Sequence, residues 1–90
     1  MREVRTGDVV RSLRGRDKGL YFFVLAAQKS TVTITDGKYR KLASPKTKNK
    51  RHIIYVSTPD CRVRNEILSG EIREDAHIRK ALSAVMPDCF

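Results

Sequence analysis

Five short β-like segments joined by tight turns occupy the first 56 residues. Beyond them the apolar residues repeat at helical spacing. Together these observations predict a mainly β fold: a small five-stranded barrel over residues 1–56, followed by a short helical appendage over residues 57–90. At ninety residues the chain makes one small unit. A unit of that size buries only roughly 60% of its unfolded surface, which leaves little room for a deep active-site cleft beside a core.

The first expected strand is residues 8–13 (DVVRSL), where Val9 and Val10 favour extended backbone. RGRDKG follows as a turn, with glycines at 7, 15 and 19 marking where the backbone bends between strands. Residues 20–27 (LYFFVLAA) are apolar at nearly every position, the pattern of a strand buried on both faces. Aromatic and β-branched content and the preceding Gly19 favour that strand over a buried helix. Phe22 and Phe23 are expected in the core. Residues 31–35 (TVTIT) alternate apolar and hydroxylated side chains, the period of a half-buried strand.

Asp36-Gly37 is a hairpin signal, so residues 38–42 (KYRKL) are expected to return as a basic strand with Tyr39 and Leu42 packing. Residues 43–50 (ASPKTKNK) then form a basic loop, and residues 51–56 (RHIIYV) the fifth strand. Ser57, Thr58, Pro59 and Asp60 supply capping residues and a proline suited to a helix start. Val63, Ile67, Leu68, Ile72, Ile78, Leu82 and Val85 form an apolar stripe, which Gly70 divides into helices near 60–69 and 74–86. Glu74 and Asp75 early in the second helix, with Arg79 and Lys80 later, suit the helix dipole. The stripe is expected to pack on the barrel, with docking on a partner as the alternative.

Charge is divided unevenly along the chain. Of the net +9, residues 1–56 hold fourteen Lys or Arg against four acids, and residues 57–90 hold five against six. The first region is thus +10 and the second −1. A polyanion is the natural partner of such a region, and nucleic acid fits better than a membrane. Two clusters carry the excess. One is the glycine-framed turn with Arg14, Gly15, Arg16 and Lys18, and Arg11 on the adjoining strand. The other holds Lys38, Arg40, Lys41, Lys46, Lys48, Asn49, Lys50, Arg51 and His52. Lys46, Lys48 and Lys50 would point to one side if that segment is extended. Arginine forks onto a phosphate while lysine acts as a point charge, and Thr47 and Asn49 add hydrogen-bonding groups. Tyr21, Tyr39 and Tyr55 are open between packing and exposure. No RNP-like run of basic and aromatic residues is present, so the chemistry favours backbone and shape recognition over base stacking.

Catalysis finds little footing. His52 lies among cations with no acid near it in sequence, and His77 follows Asp75 as a surface residue of a helix does. No Ser or Thr sits in a nucleophile elbow, and the glycines match neither GxxxxGK[ST] nor GxGxxG. The expectation is a protein that is not an enzyme, with no cofactor and no small-molecule substrate. Cys61 and Cys89 lie too far apart and too few for a disulfide framework, and neither has a partner at zinc spacing. They read as reduced thiols of a cytoplasmic protein without a metal site. The charged N-terminus has no apolar leader, and the run over residues 20–27 is too short to span a bilayer.

The run over residues 7–24 (GDVVRSLRGRDKGLYFFV) resembles the KOW motif: a glycine (Gly7), an apolar strand with Val9 and Val10, a basic turn with Gly15, and Gly19 leading into Phe23 and Val24. Within that family the chain more closely resembles bacterial KOW-domain RNA-binding proteins related to a large-subunit ribosomal protein of archaea and eukaryotes. These carry a segment like DGKYRKLASPKTKNKRHI, here residues 36–53, and often end with one like EIREDAHIRKAL, here residues 71–82. The resemblance, spanning about residues 6–82, implies an SH3-like β-barrel, RNA over DNA, and a ribosome-associated role in translation. It places the contacts on the same two basic clusters. It implies two uses, RNA binding and protein docking, so contact with a ribosomal protein through the C-terminal helices, or docking on a transcription partner, stands as the second expectation.

Overall fold

The computed structural model describes residues 3–85. It contains strands β1 (Val9–Ser12), β2 (Tyr21–Ala27), β3 (Thr31–Thr35), β4 (Lys46–Asn49) and β5 (Ile53–Ser57). A 3-10 turn, Lys50–His52, joins β4 to β5, and helices α1 (Arg62–Ser69) and α2 (Asp75–Val85) follow. The strands form one antiparallel sheet in the order β4-β3-β2-β1-β5. The chain is therefore mostly β with a helical C-terminal part, as its sequence predicts.

Central β2 explains the layering. Successive side chains of a strand point to opposite faces. Phe22 and Val24 enter a core with Val10, Val32, Ile34 and Ile53, while Phe23 enters a second core with Val9, Ile67, Ile78 and Leu82. Both phenylalanines are fully buried, each contributing about 1.5–3 kcal/mol of transfer free energy. Ile67 belongs to α1 and Ile78 and Leu82 to α2, so the apolar stripe of the tail covers the second face of the sheet. Between the helices Gly70 takes a left-handed conformation, its N–H reaching back to Glu66 and Ile67 carbonyls. No helix among the described residues is long and apolar enough to cross a membrane.

The sheet is not a closed barrel. Its edge strands β4 and β5 share no ladder among the described residues. The backbone at that seam is engaged elsewhere: Lys50 N–H donates to Ser30 O, and Leu13 N–H donates to His52 O. The sheet is nonetheless strongly curled. Three strand spacings, about 14 Å in a flat sheet, separate β4 from β1, farther than one lysine side chain reaches. Yet Lys48 Nζ on β4 lies 2.7 Å from Ser12 Oγ on β1. Register shifts at Val9/Val10 and Val24/Ala26 supply local bending.

Two expected elements change places. Residues 38–42 are a turn, not a strand, because Asp36 Oδ1 accepts the N–H groups of Lys38, Tyr39 and Arg40, which a ladder would need. The strand that pairs with β3 lies within the expected basic loop, with Val32 opposite Lys48 and Ile34 opposite Lys46. Pairing there overrides the weak strand preference of Lys and Asn. Helix α1 starts later than expected, at Arg62 after Cys61, which makes no side-chain cap bond. Thr58, expected near the cap, instead donates to Asp8 Oδ1 at 2.7 Å and meets the Tyr55 hydroxyl at 2.8 Å. Cys61 is a free thiol, and Cys89 lies outside the described residues.

Candidate nucleic-acid interface

The loop between β1 and β2 is shaped by its glycines and locked by one acid. Gly15 and Gly19 both take φ of +88°, a region that residues with a Cβ rarely adopt. Gly19 N–H then donates to Ser12 O and Ser12 N–H to Leu20 O, closing the base of the loop. Inside it sits Asp17, only 8% exposed. Its Oδ1 accepts from Ser12 Oγ and Lys48 Nζ, each at 2.6 Å, and its Oδ2 accepts from Lys46 Nζ at 2.9 Å. Lys48 Nζ also donates to Arg14 O at 2.5 Å. Burial alone would raise the Asp17 carboxyl, but the bonds from Lys48, Ser12 and Lys46 and the Lys48 charge hold it well below the usual carboxylate range. The backbone of Arg14 and the acid beside Arg16 and Lys18 are thus fixed, so those side chains are presented from a rigid loop.

The second turn, residues 36–42, is built from backbone amides. Asp36 Oδ1 receives three N–H groups at 2.8–2.9 Å, and Thr35 Oγ1 donates to Arg40 O at 2.6 Å. Helix α2 braces it from behind: Leu42 N–H donates to Asp75 Oδ1 at 2.8 Å, and Arg79 Nη1 donates to Gly37 O at 2.6 Å. Gly37, at φ +71°, lies so close to the Asp75 carbonyl that a Cβ there would overlap it. Tyr39 projects from this turn 67% exposed, with Lys38 Nζ over its ring at 5.1 Å from the centroid.

The two turns meet at a surface pocket of about 360 Å³, lined by Arg16, Asp17, Lys18, Leu20, Phe22, Tyr39, Arg40 and Lys46. Residues from both basic clusters therefore share one site: Arg16 and Lys18 from the first, Arg40 and Lys46 from the second. Its one acid, Asp17, is matched by two lysines. Arg16, Lys18 and Arg40 are exposed, and Lys46 is half-buried.

The remaining candidates lie elsewhere or do other work. Arg11, Arg14, Lys38 and Lys41 are exposed outside the pocket lining, and Gly15 shapes the loop. Lys48 is buried at 7% exposure with its ammonium bonded three ways, so it fastens the loop rather than offering a free charge. Lys46 and Lys48 do reach toward the same group, but Lys50 belongs to the 3-10 turn and lies 4.0 Å from Glu3 Oε1. Asn49 caps that turn, its Oδ1 accepting from Arg51 N–H at 2.9 Å. Arg51 is exposed and His52 half-buried, neither at the pocket.

Sequence reasoning did not single out Tyr39 as part of the site. The signal lies in Lys38-Tyr39-Arg40-Lys41, where an aromatic ring is interleaved with cations directly after an Asp-Gly turn. No model of a known protein family matches the chain, and no curated protein matches it significantly, so its function is argued from the chemistry of this face.

Proposed function

We propose that the chain is a non-catalytic RNA-binding protein of the translation apparatus, which holds structured, ribosomal RNA by its phosphate backbone. The observation that carries this reading is the convergence of Arg16, Lys18, Arg40 and Lys46, from segments far apart in sequence, on one pocket. Cations held on two rigid turns match the spaced anions of a folded RNA backbone, and arginines at 16 and 40 can grip phosphates bidentately. The choice of RNA over DNA, the KOW assignment and an SH3-like relation come from the sequence resemblance. The curled five-stranded sheet and the positive φ at Gly7, Gly15 and Gly19 around β1 and β2 agree with it.

The test is the salt dependence of binding to an RNA hairpin. Replacing Arg16, Lys18 and Arg40 together with Ala removes exposed charges and spares the Asp17–Lys48 lock. The log–log slope of affinity against salt is expected to flatten by roughly 0.7–0.9 for each phosphate that is no longer neutralised. An unchanged slope rejects the pocket as the contact site.

A second reading, a protein-interaction module docking on a ribosomal or transcription partner, draws on a groove of about 350 Å³ along α1 and α2. It is lined by Cys61, Arg62, Val63, Glu66, His77, Lys80 and Ala81. Ribonuclease treatment separates the two readings: partners that stay bound to a tagged copy after RNA is destroyed favour docking.

A further inference from the structure

We infer that the pocket receives a single unpaired nucleotide of the bound RNA, with its base stacked on Tyr39 and its phosphate among Arg16, Lys18 and Arg40. The inference rests on the RNA-binding reading and goes beyond its backbone contacts.

Three features of the pocket point to a nucleotide rather than to a phosphate alone. A bare phosphate needs only cations, yet this pocket also has an apolar part, half-buried Leu20 lying against the core at Phe22. It has an aromatic ring, Tyr39, that stays 67% exposed although the chain buries Phe22 and Phe23 completely. A large ring left in water beside four cations is a platform for a flat, electron-rich partner, and base-on-aromatic stacking tolerates any base. The volume, about 360 Å³, falls at the small end of ligand sites, the scale of one nucleotide rather than of a helix segment.

The backbone that carries the ring is also held in place: Tyr39 N–H donates to Asp36 Oδ1 at 2.9 Å, and Lys38 lies over the ring without lining the pocket. A platform on a fixed backbone has less freedom to lose when a base settles on it.

A free mononucleotide shares this chemistry. The RNA chain is the assigned source because further exposed cations adjoin residues of the pocket, Arg14 two positions before Arg16, Lys41 directly after Arg40, and Arg11 with its guanidinium beside Gly19. One nucleotide would leave them unmatched, whereas the flanking phosphates of a chain would meet them. Splayed-out bases in bulges and loops are the positions at which proteins read RNA most readily.

The experiment compares two RNA hairpins closed by a non-nucleotide linker, one with a single bulged 2-aminopurine and one identical but fully paired, titrated with the full chain. Tighter binding of the bulged hairpin, with its 2-aminopurine fluorescence quenched, is the expected result. Tyr39→Ala should weaken that binding roughly 5- to 150-fold, the effect of removing one stacking platform. Binding of the paired hairpin should weaken far less, and Tyr39→Phe should behave like the native chain. Equal affinity of the native chain for both hairpins, with a steep salt slope, overturns the nucleotide pocket and leaves the RNA reading standing. Failure to bind either hairpin overturns the RNA reading and the pocket with it. Displacement of the bulged hairpin by AMP at comparable concentration overturns the assignment to RNA and makes a free nucleotide the ligand.

Discussion

The loop over residues 14–19 and the turn over residues 36–42 face the same pocket, but they are fastened by different forces. In the loop, a buried carboxylate is bonded to two ammonium groups brought from β4, two strands beyond β2 in the sheet. In the turn, a buried carboxylate is bonded to three backbone amides within four residues of itself. One lock is made of ions and long-range contacts, the other of neutral donors and local ones. The difference shows that lysine serves two ends here. Lys48 builds the site from inside, and Lys18 is presented from it. What sorts the cations is the position of Asp17, an acid hidden among them.

The ionic lock should be the costlier to remove. Asp17→Ala strands the Lys48 ammonium in a nearly dry site, and removing one partner of such a pair costs about 3–5 kcal/mol. Urea unfolding should show it as a large fall in midpoint, and an unmoved midpoint would contradict the structural role of Lys48. Lys48→Met is the milder cut, since Asp17 keeps Lys46 and Ser12 while the stem volume is retained. Acid tests the ionic lock further. The folded Asp17 carboxyl lies well below its unfolded value of about 3.9. Its contribution is therefore complete above that value and disappears as pH falls toward the folded one. Between native chain and Asp17→Ala, the gap in stability should be widest near neutrality and narrow steadily below about pH 4.

The amide lock should give a smaller effect. Asp36→Ala leaves three N–H groups without their acceptor in a partly buried turn, a loss of about 2–3 kcal/mol. Asp36→Asn keeps an oxygen acceptor and should recover most of that. If Asp36→Ala proves as damaging as Asp17→Ala, the contrast between ionic and neutral fastening fails.

The same contrast explains what could be read from the sequence. Residues 31–35 were legible to the residue because alternation alone specifies a half-buried strand, and β2 was legible because a run apolar on both faces has few other uses. Gly70 and the two helices followed from periodicity and a left-handed stop. The turn at Asp36 was not legible as a turn, because Asp-Gly signals a hairpin equally well until the side chain captures its own amides. Nor was β4. KTKN has little strand preference, and it pairs only because Ile34 and Val32 offer an edge across a long connection. The two basic clusters were visible as clusters. That Lys48 turns inward depends on curling of the sheet, which no local pattern encodes, and Tyr39 stands outward on the Asp36 turn that replaces the expected strand.

The smallest effect on stability bears on the neutral tail. Asp75 contributes one bond to Leu42 N–H and a favourable charge in the first turn of α2, so Asp75→Ala should cost only about 1 kcal/mol. The consequence for binding should be larger than that figure implies, because the bond ties α2 to the turn that carries Tyr39 and Arg40. A tail that only covers the second core would lose a little stability and leave RNA affinity alone. A tail that braces the pocket would show a few-fold weaker hairpin binding at a temperature where the variant is fully folded. Asp75→Asn, whose amide oxygen can still accept from Leu42, should restore it. Binding that is unaltered in Asp75→Ala would show that the Leu42 bond does not position the turn and leave any bracing by α2 to the Arg79 bond on Gly37.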